Sequence, residues 1–108
     1  MKTKREIAMI RFIIHTTVSA RDQNGNCYNF STVTSTKTGK SLLIKTGYGS
    51  DGGNIRAMLR NAGLEWSEIS YSDSVIPKRE FKRRENFQTD GKYEHETTAK
   101  DILDLENG

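Results

Sequence analysis

Three stretches of this chain have residue types and spacings suited to holding phosphate. Gly47, Gly49 and Gly52 fit G-x-G-x-x-G in the run GYGSDGGN, between the apolar run SLLIKT and the amphipathic run IRAMLRNAG. Inside a parallel β-α-β unit that motif lets backbone amides close on a dinucleotide pyrophosphate, with an acidic residue about twenty positions later on a ribose hydroxyl. Asp73 stands near that distance from Gly52. Gly39-Lys40-Ser41 matches the end of a P-loop, but Thr34 stands where the first glycine belongs and SLLIK reads as strand rather than helix. Lys78, Arg79, Lys82, Arg83 and Arg84 put five cations into the segment 78–84, with Glu80 among them. Such a run contacts phosphates in a salt-sensitive way without reading sequence.

Other reactive types are scattered. His15 falls in an apolar run and His95 in an acidic one, neither with a nucleophile or carboxylate at a telling spacing. Cys27 is the only cysteine, so it forms no internal disulfide, and no Cys/His spacing suggests zinc. Glu65 and Glu68 flank Trp66 without further support for paired-carboxylate chemistry. The reading is a protein that is not an enzyme, with no cofactor and no metal.

Hydrophobic periodicity indicates the elements that must position these residues. From Ile7 to Val18 apolar residues fall on both alternating sets, Ile7, Met9 and Ile13 on one and Ala8, Ile10, Phe12 and Ile14 on the other. That pattern predicts a central strand buried on both faces. Asp22-Gln23-Asn24-Gly25-Asn26 is a hairpin turn signal, with a return strand over Cys27 to Thr36. A second turn, Lys37 to Lys40, leads into a strand over Ser41 to Thr46, so three strands form an antiparallel meander. Ile55, Met58, Leu59 and Ala62 then make one helical stripe, with Arg56 and Arg60 on another face and Gly63-Leu64 as the stop. Trp66, Ile69, Tyr71 and Val75 suggest a fourth extended segment before Pro77.

These elements weaken the dinucleotide reading, because the strand before the glycines is expected in an antiparallel meander and the chain is short for a doubly wound sheet. The glycines are read as a sheet-to-helix connection. Its amides, beside Lys45, Arg56 and Arg60, could still face a phosphate.

The predicted fold is α+β: an antiparallel sheet of three to four strands in β-β-β-α-β order, with one short helix packed on a face. Residues 1–85 form the single domain, and 86–108 are an acidic, mobile tail. Charge follows this division. Residues 1–84 hold 15 basic and 7 acidic side chains, a net of +8, and residues 85–108 hold 2 and 7, a net of −5. A basic body makes a polyanion partner plausible, with the tail as its competitor. The basic start is interrupted at Arg11 and no apolar run reaches membrane-spanning length, which predicts a cytoplasmic protein without a membrane partner.

The strand-strand-strand-helix order over about residues 7 to 63 resembles that of small DNA-binding domains that lay a three-stranded sheet in the major groove, as in plant AP2-type domains and some integrase arm-binding domains. The resemblance is one of topology and implies no particular residue. Together these readings predict a non-enzymatic nucleic-acid-binding accessory protein for DNA or RNA. Lys37, Lys40, Lys45, Arg56, Arg60, Lys78, Arg79, Lys82, Arg83 and Arg84 would contact phosphates, and Tyr48 would stack on a base. The alternative is a phage or mobile-element type inhibitor that occludes a host protein. An exposed edge strand leaves a homodimer open.

Overall fold

The computed structural model describes residues 9–21, 23–25, 27–48, 53–87 and 91–108. Ile7, Ala8, Asp22, Asn26 and the loop residues Gly49, Ser50, Asp51 and Gly52 lie outside the described residues.

The meander forms as its turn chemistry dictates. β1 (Phe12–Ser19), β2 (Tyr28–Ser35) and β3 (Ser41–Tyr48) pair antiparallel. Gly25 and Gly39 take positive φ of 80° and 76° in the two hairpin turns, a conformation that costs glycine no Cβ clash. The Gly-Lys-Ser sequence is thus a hairpin turn.

Beyond β3 the predicted antiparallel sheet of three to four strands is corrected. α1 (Gly53–Asn61) carries the chain back along the sheet, so β4 (Ile69–Ile76) starts from the same end as β1 and pairs with it in parallel. α2 (Lys78–Phe87) repeats the manoeuvre and delivers β5 (Lys92–Tyr93) parallel to β3. Among the described residues the result is a mixed five-stranded sheet of order β4-β1-β2-β3-β5, with three short helices.

Register assigns the two faces. Phe12, Ile14 and Thr16 share a face with Val33 and Ser31 of β2, Leu42 and Ile44 of β3, and Ile69 and Tyr71 of β4. α1 covers this face with Ile55, Met58 and Leu59, followed by Leu64. The helix ends in a Schellman arrangement: Gly63 at φ 105° donates to the Arg60 carbonyl, and Leu64 donates to that of Leu59. Thr16 and Ser31 hydroxyls pair at 2.8 Å within the covered face, so neither is buried unsatisfied.

The expected mobile tail is also corrected over 91–108. After β5 the chain passes to the covered face, where Thr98 caps α3 (Ala99–Leu103) by accepting from the Asp101 amide. Ile102 is fully buried in the cluster of Phe12, Ile14, Val33, Ile44, Ile55, Leu59 and Leu64. Arg11 clamps the end of the chain, donating Nη2 and Nε to Glu106 at 2.7 and 3.0 Å and Nη1 to Glu68 at 3.3 Å. The Glu106 carboxyl is held below its ordinary range by those bonds. Thr38 and Lys40 secure the Leu105 and Asn107 carbonyls. Gly91 allows the approach of β5: a Cβ there would lie 2.8 Å from Leu43 Cδ2 and 3.1 Å from the Leu43 carbonyl oxygen.

The first strand is shorter than its apolar run and is not buried on both faces. Met9 and Ile10 precede it, and Ile13 is 42% exposed. Among the described residues, the opposite face of the sheet, carrying Ile13, His15 and Thr17, is covered where α2 crosses it.

Candidate nucleic-acid interface

Among its described side chains, α2 stands on one apolar foot, Phe81. Pro77 ends β4 and precedes the helix, and its carbonyl accepts the Phe81 amide at 3.0 Å. Phe81 is 2% exposed and tilts against Phe30 with ring centroids 5.3 Å apart. Thr17 and Ser19 are buried on the same sheet face. Lys78, Arg79, Lys82, Arg83 and Arg84 are all exposed.

Glu80 organises two of these cations. Arg83 donates to it through Nη2 at 2.6 Å and Nε at 3.0 Å, and Arg84 through Nε at 3.0 Å. These bonds hold the Glu80 carboxyl at about 2, so it stays ionised. Over 78–84, five cations face one carboxylate, leaving four net positive charges. Arg79 and Lys82 carry no ion pair among the described residues, and Arg79 lines a shallow groove with Pro77, Glu80 and Arg83.

The register extends this surface across the sheet. Thr17 stands opposite Phe30, Phe30 opposite Lys45, and Lys45 opposite Tyr93, so one row runs from beneath α2 to the β5 edge. Lys45 Nζ lies 5.6 Å from the Tyr93 ring centroid. Tyr93 is 49% exposed and stacks on His95 at 5.8 Å. The α2 cations, Lys45 and a half-exposed aromatic ring thus lie on one face of the sheet.

The other residues expected at the interface lie elsewhere. Arg56 stacks on Tyr71 at 4.0 Å, and Arg60 stacks on Trp66 at 5.3 Å while donating to the Leu64 carbonyl and Glu65. Both belong to α1, on the far side of the sheet from α2. Lys37 is exposed and Lys40 is tied to Asn107, in the turn at the other end of β2 from Phe30. Tyr48 is not a loop residue: its backbone closes β3, opposite Tyr28. The expected single basic surface is thus divided, and only Lys45 and the 78–84 cations share a face.

Tyr93 was not singled out in the sequence and His95 was set aside there, because both sit among acidic residues. The only available signal was Lys92-Tyr93, a cation beside an aromatic in an otherwise polar stretch. Among the described residues, no carboxylate of the segment 91–108 pairs with Arg79, Lys82, Arg83 or Arg84. Glu106 pairs with Arg11, Asp101 with Lys92 and Asp104 with Lys100.

Two further candidates resolve structurally. The strand before the glycines, β3, belongs to the antiparallel meander as expected, and the crossover through α1 leads to β4, which runs in the same direction as β3. β4 nonetheless lies three strand spacings from β3, roughly 14 Å, so Asp73 is not on the neighbouring strand from which a ribose would be held. His15 is fastened to β4, with Nδ1 2.7 Å from Ser72 Oγ and Nε2 2.7 Å from Ser74 Oγ. Cys27 is a free, half-buried thiol. No helix among the described residues is long and apolar enough to cross a membrane. Comparison with protein-family models, curated proteins and solved structures gives no match, which leaves the chain's own residues to carry the functional reading.

Proposed function

We propose that this chain is a non-enzymatic nucleic-acid-binding accessory protein. Its phosphate contacts are the α2 cations and Lys45, and its stacking residue is Tyr93 rather than Tyr48. The observation that supports this most is the row of α2, Phe30, Lys45 and Tyr93 on one sheet face, with α3 packed on the other. A basic groove beside an accessible ring suits single-stranded nucleic acid, where each stacked base contributes about 1–3 kcal/mol.

Fluorescence anisotropy with labelled single-stranded and duplex DNA and RNA across a salt series tests the reading. With three to four phosphates engaged, log affinity for a single strand falls with log salt at a slope of roughly −2 to −3. Arg79→Ala with Lys82→Ala flattens that slope by about 1.4. Tyr93→Ala weakens binding by about tenfold or more while leaving the slope unchanged. Absence of binding at low salt refutes the proposal.

A second reading, occlusion of a host protein, draws on one specific feature: Met9, Ile10 and Ile13 are 59%, 38% and 42% exposed at the start of β1. A stoichiometric protein captured from nuclease-treated lysate, together with no nucleic-acid binding, would favour it.

A further inference from the structure

Among the described residues β4 is an outer strand of the sheet, eight residues long, and contains neither lysine nor proline to blunt its edge. The Ala20 amide donates to the Ile76 carbonyl at 2.7 Å, so Ile76 faces β1 with its backbone groups. Alternation then points Ser70, Ser72 and Ser74 toward β1, and points the backbone groups of Ile69, Tyr71, Asp73 and Val75 toward the outer edge.

We propose that this edge is a self-pairing surface, where two copies of the chain join antiparallel through β4 about a two-fold axis at Ser72, making one continuous sheet. A two-fold axis perpendicular to the sheet pairs residues of like facing, so it must pass through a residue. Only two registers match nearly the whole strand. Centring on Asp73 sets its carboxylate against that of the second copy, and the terminal pairs fall on Pro77, which has no N–H to give. Centring on Ser72 avoids both.

The Ser72 register is also complementary. Ser70 meets Ser74, Ile69 meets Val75, and Tyr71 meets Asp73. Val75 is 68% exposed and Trp66, just before β4, is 57% exposed. Antiparallel pairing brings each Val75 to Ile69 of the second copy, beside that copy's Trp66. Asp73 is exposed and has no ion pair among the described residues. Arg56, stacked 4.0 Å over Tyr71, has a buried Nε without a hydrogen-bond partner. Facing Tyr71, Asp73 arrives on the side where the Arg56 guanidinium lies, within the reach of a cross-strand pair.

Sedimentation velocity on the full chain tests the pairing, with a species of twice 12.3 kDa expected at micromolar concentration. Asp73→Lys and Val75→Pro should each return it to monomer with an unchanged far-UV spectrum, the proline because it removes an N–H that β1 does not use. Register is read by oxidative cross-linking in a Cys27→Ser background. Ser72→Cys should link the two copies, since opposed Cα atoms in a non-hydrogen-bonded pair lie about 4.5 Å apart. Asp73→Cys should not. A monomer at every concentration, a dimer indifferent to Asp73→Lys and Val75→Pro, or linking through Asp73→Cys instead would each overturn the proposal. A monomer that captures a foreign strand on β4 counts as the first of these.

Discussion

Replacing Ile102 by alanine asks whether the C-terminal segment belongs to the fold. Ile102 of α3 is fully buried with seven other core residues, drawn from β1, β2, β3, α1 and Leu64 just after it. The substitution deletes the equivalent of three methylenes, about 2.4 kcal/mol of transfer energy at ~0.8 kcal/mol each. A residual cavity of roughly 50 Å³ adds about 1 kcal/mol. The total, about 3.5 kcal/mol, is a large part of the 5–15 kcal/mol typical of a domain. It lowers Tm by about 15 °C and the urea midpoint by about 2 M. Circular dichroism at 222 nm reads both. Met9→Ala, at a residue 59% exposed, serves as the control and stays within about 0.5 kcal/mol of the parent. If Ile102→Ala were as mild as that control, the segment after β5 would not be packed as described.

Two further outcomes follow from the ion pairs. Glu106 is held by a two-point bond from Arg11 and its carboxyl lies below the ordinary range. Its contribution is therefore present above the unfolded carboxylate range and is lost as pH falls through the lower folded value. Arg11 is 38% exposed, so solvent screening limits the contribution to about 1 kcal/mol. Urea melts of the parent and Glu106→Gln should differ at pH 7 and converge as pH falls below the lowered folded value; a constant difference would show that the pair is not the source. Glu80→Gln releases Arg83 and Arg84, and should steepen the salt dependence of nucleic-acid binding by roughly 1. Unchanged binding would mean that these two arginines do not touch the ligand.

The sequence made local features legible and left non-local ones obscure. Asn24-Gly25, Gly39 and the Ile55, Met58, Leu59 stripe each report a conformation set by neighbouring residues, and the meander and α1 follow from them. The direction of β4 depends on the helix before it, which a strand pattern alone does not encode. Ile102, Leu103 and Leu105 make too short an apolar group to announce core packing, since α3 is only five residues long and depends on Thr98 and the sheet beneath it. The same limit divided the predicted interface: Arg56 and Lys45 look alike in sequence, and only strand register puts them on opposite sides of the sheet.

The two proposals meet in one geometric consequence. A two-fold axis perpendicular to the sheet keeps equivalent faces on the same side, so both copies of α2 would stand above one continuous surface. Phe81 sits over Phe30 of β2, and buried Thr17 lies beside it in β1, so α2 lies over the β1–β2 pair. Measured across the axis, that is about four strand spacings, or roughly 19 Å, between the two helices. A strand of nucleic acid long enough to reach both would bind the second helix at an effective concentration far above that in solution. Loss of the β4 pairing would then weaken long ligands while sparing short ones that occupy a single helix. Loss of Arg79 and Lys82 would weaken both. The length dependence thus separates a failure of pairing from a failure of phosphate contact, which sedimentation or anisotropy alone would leave combined.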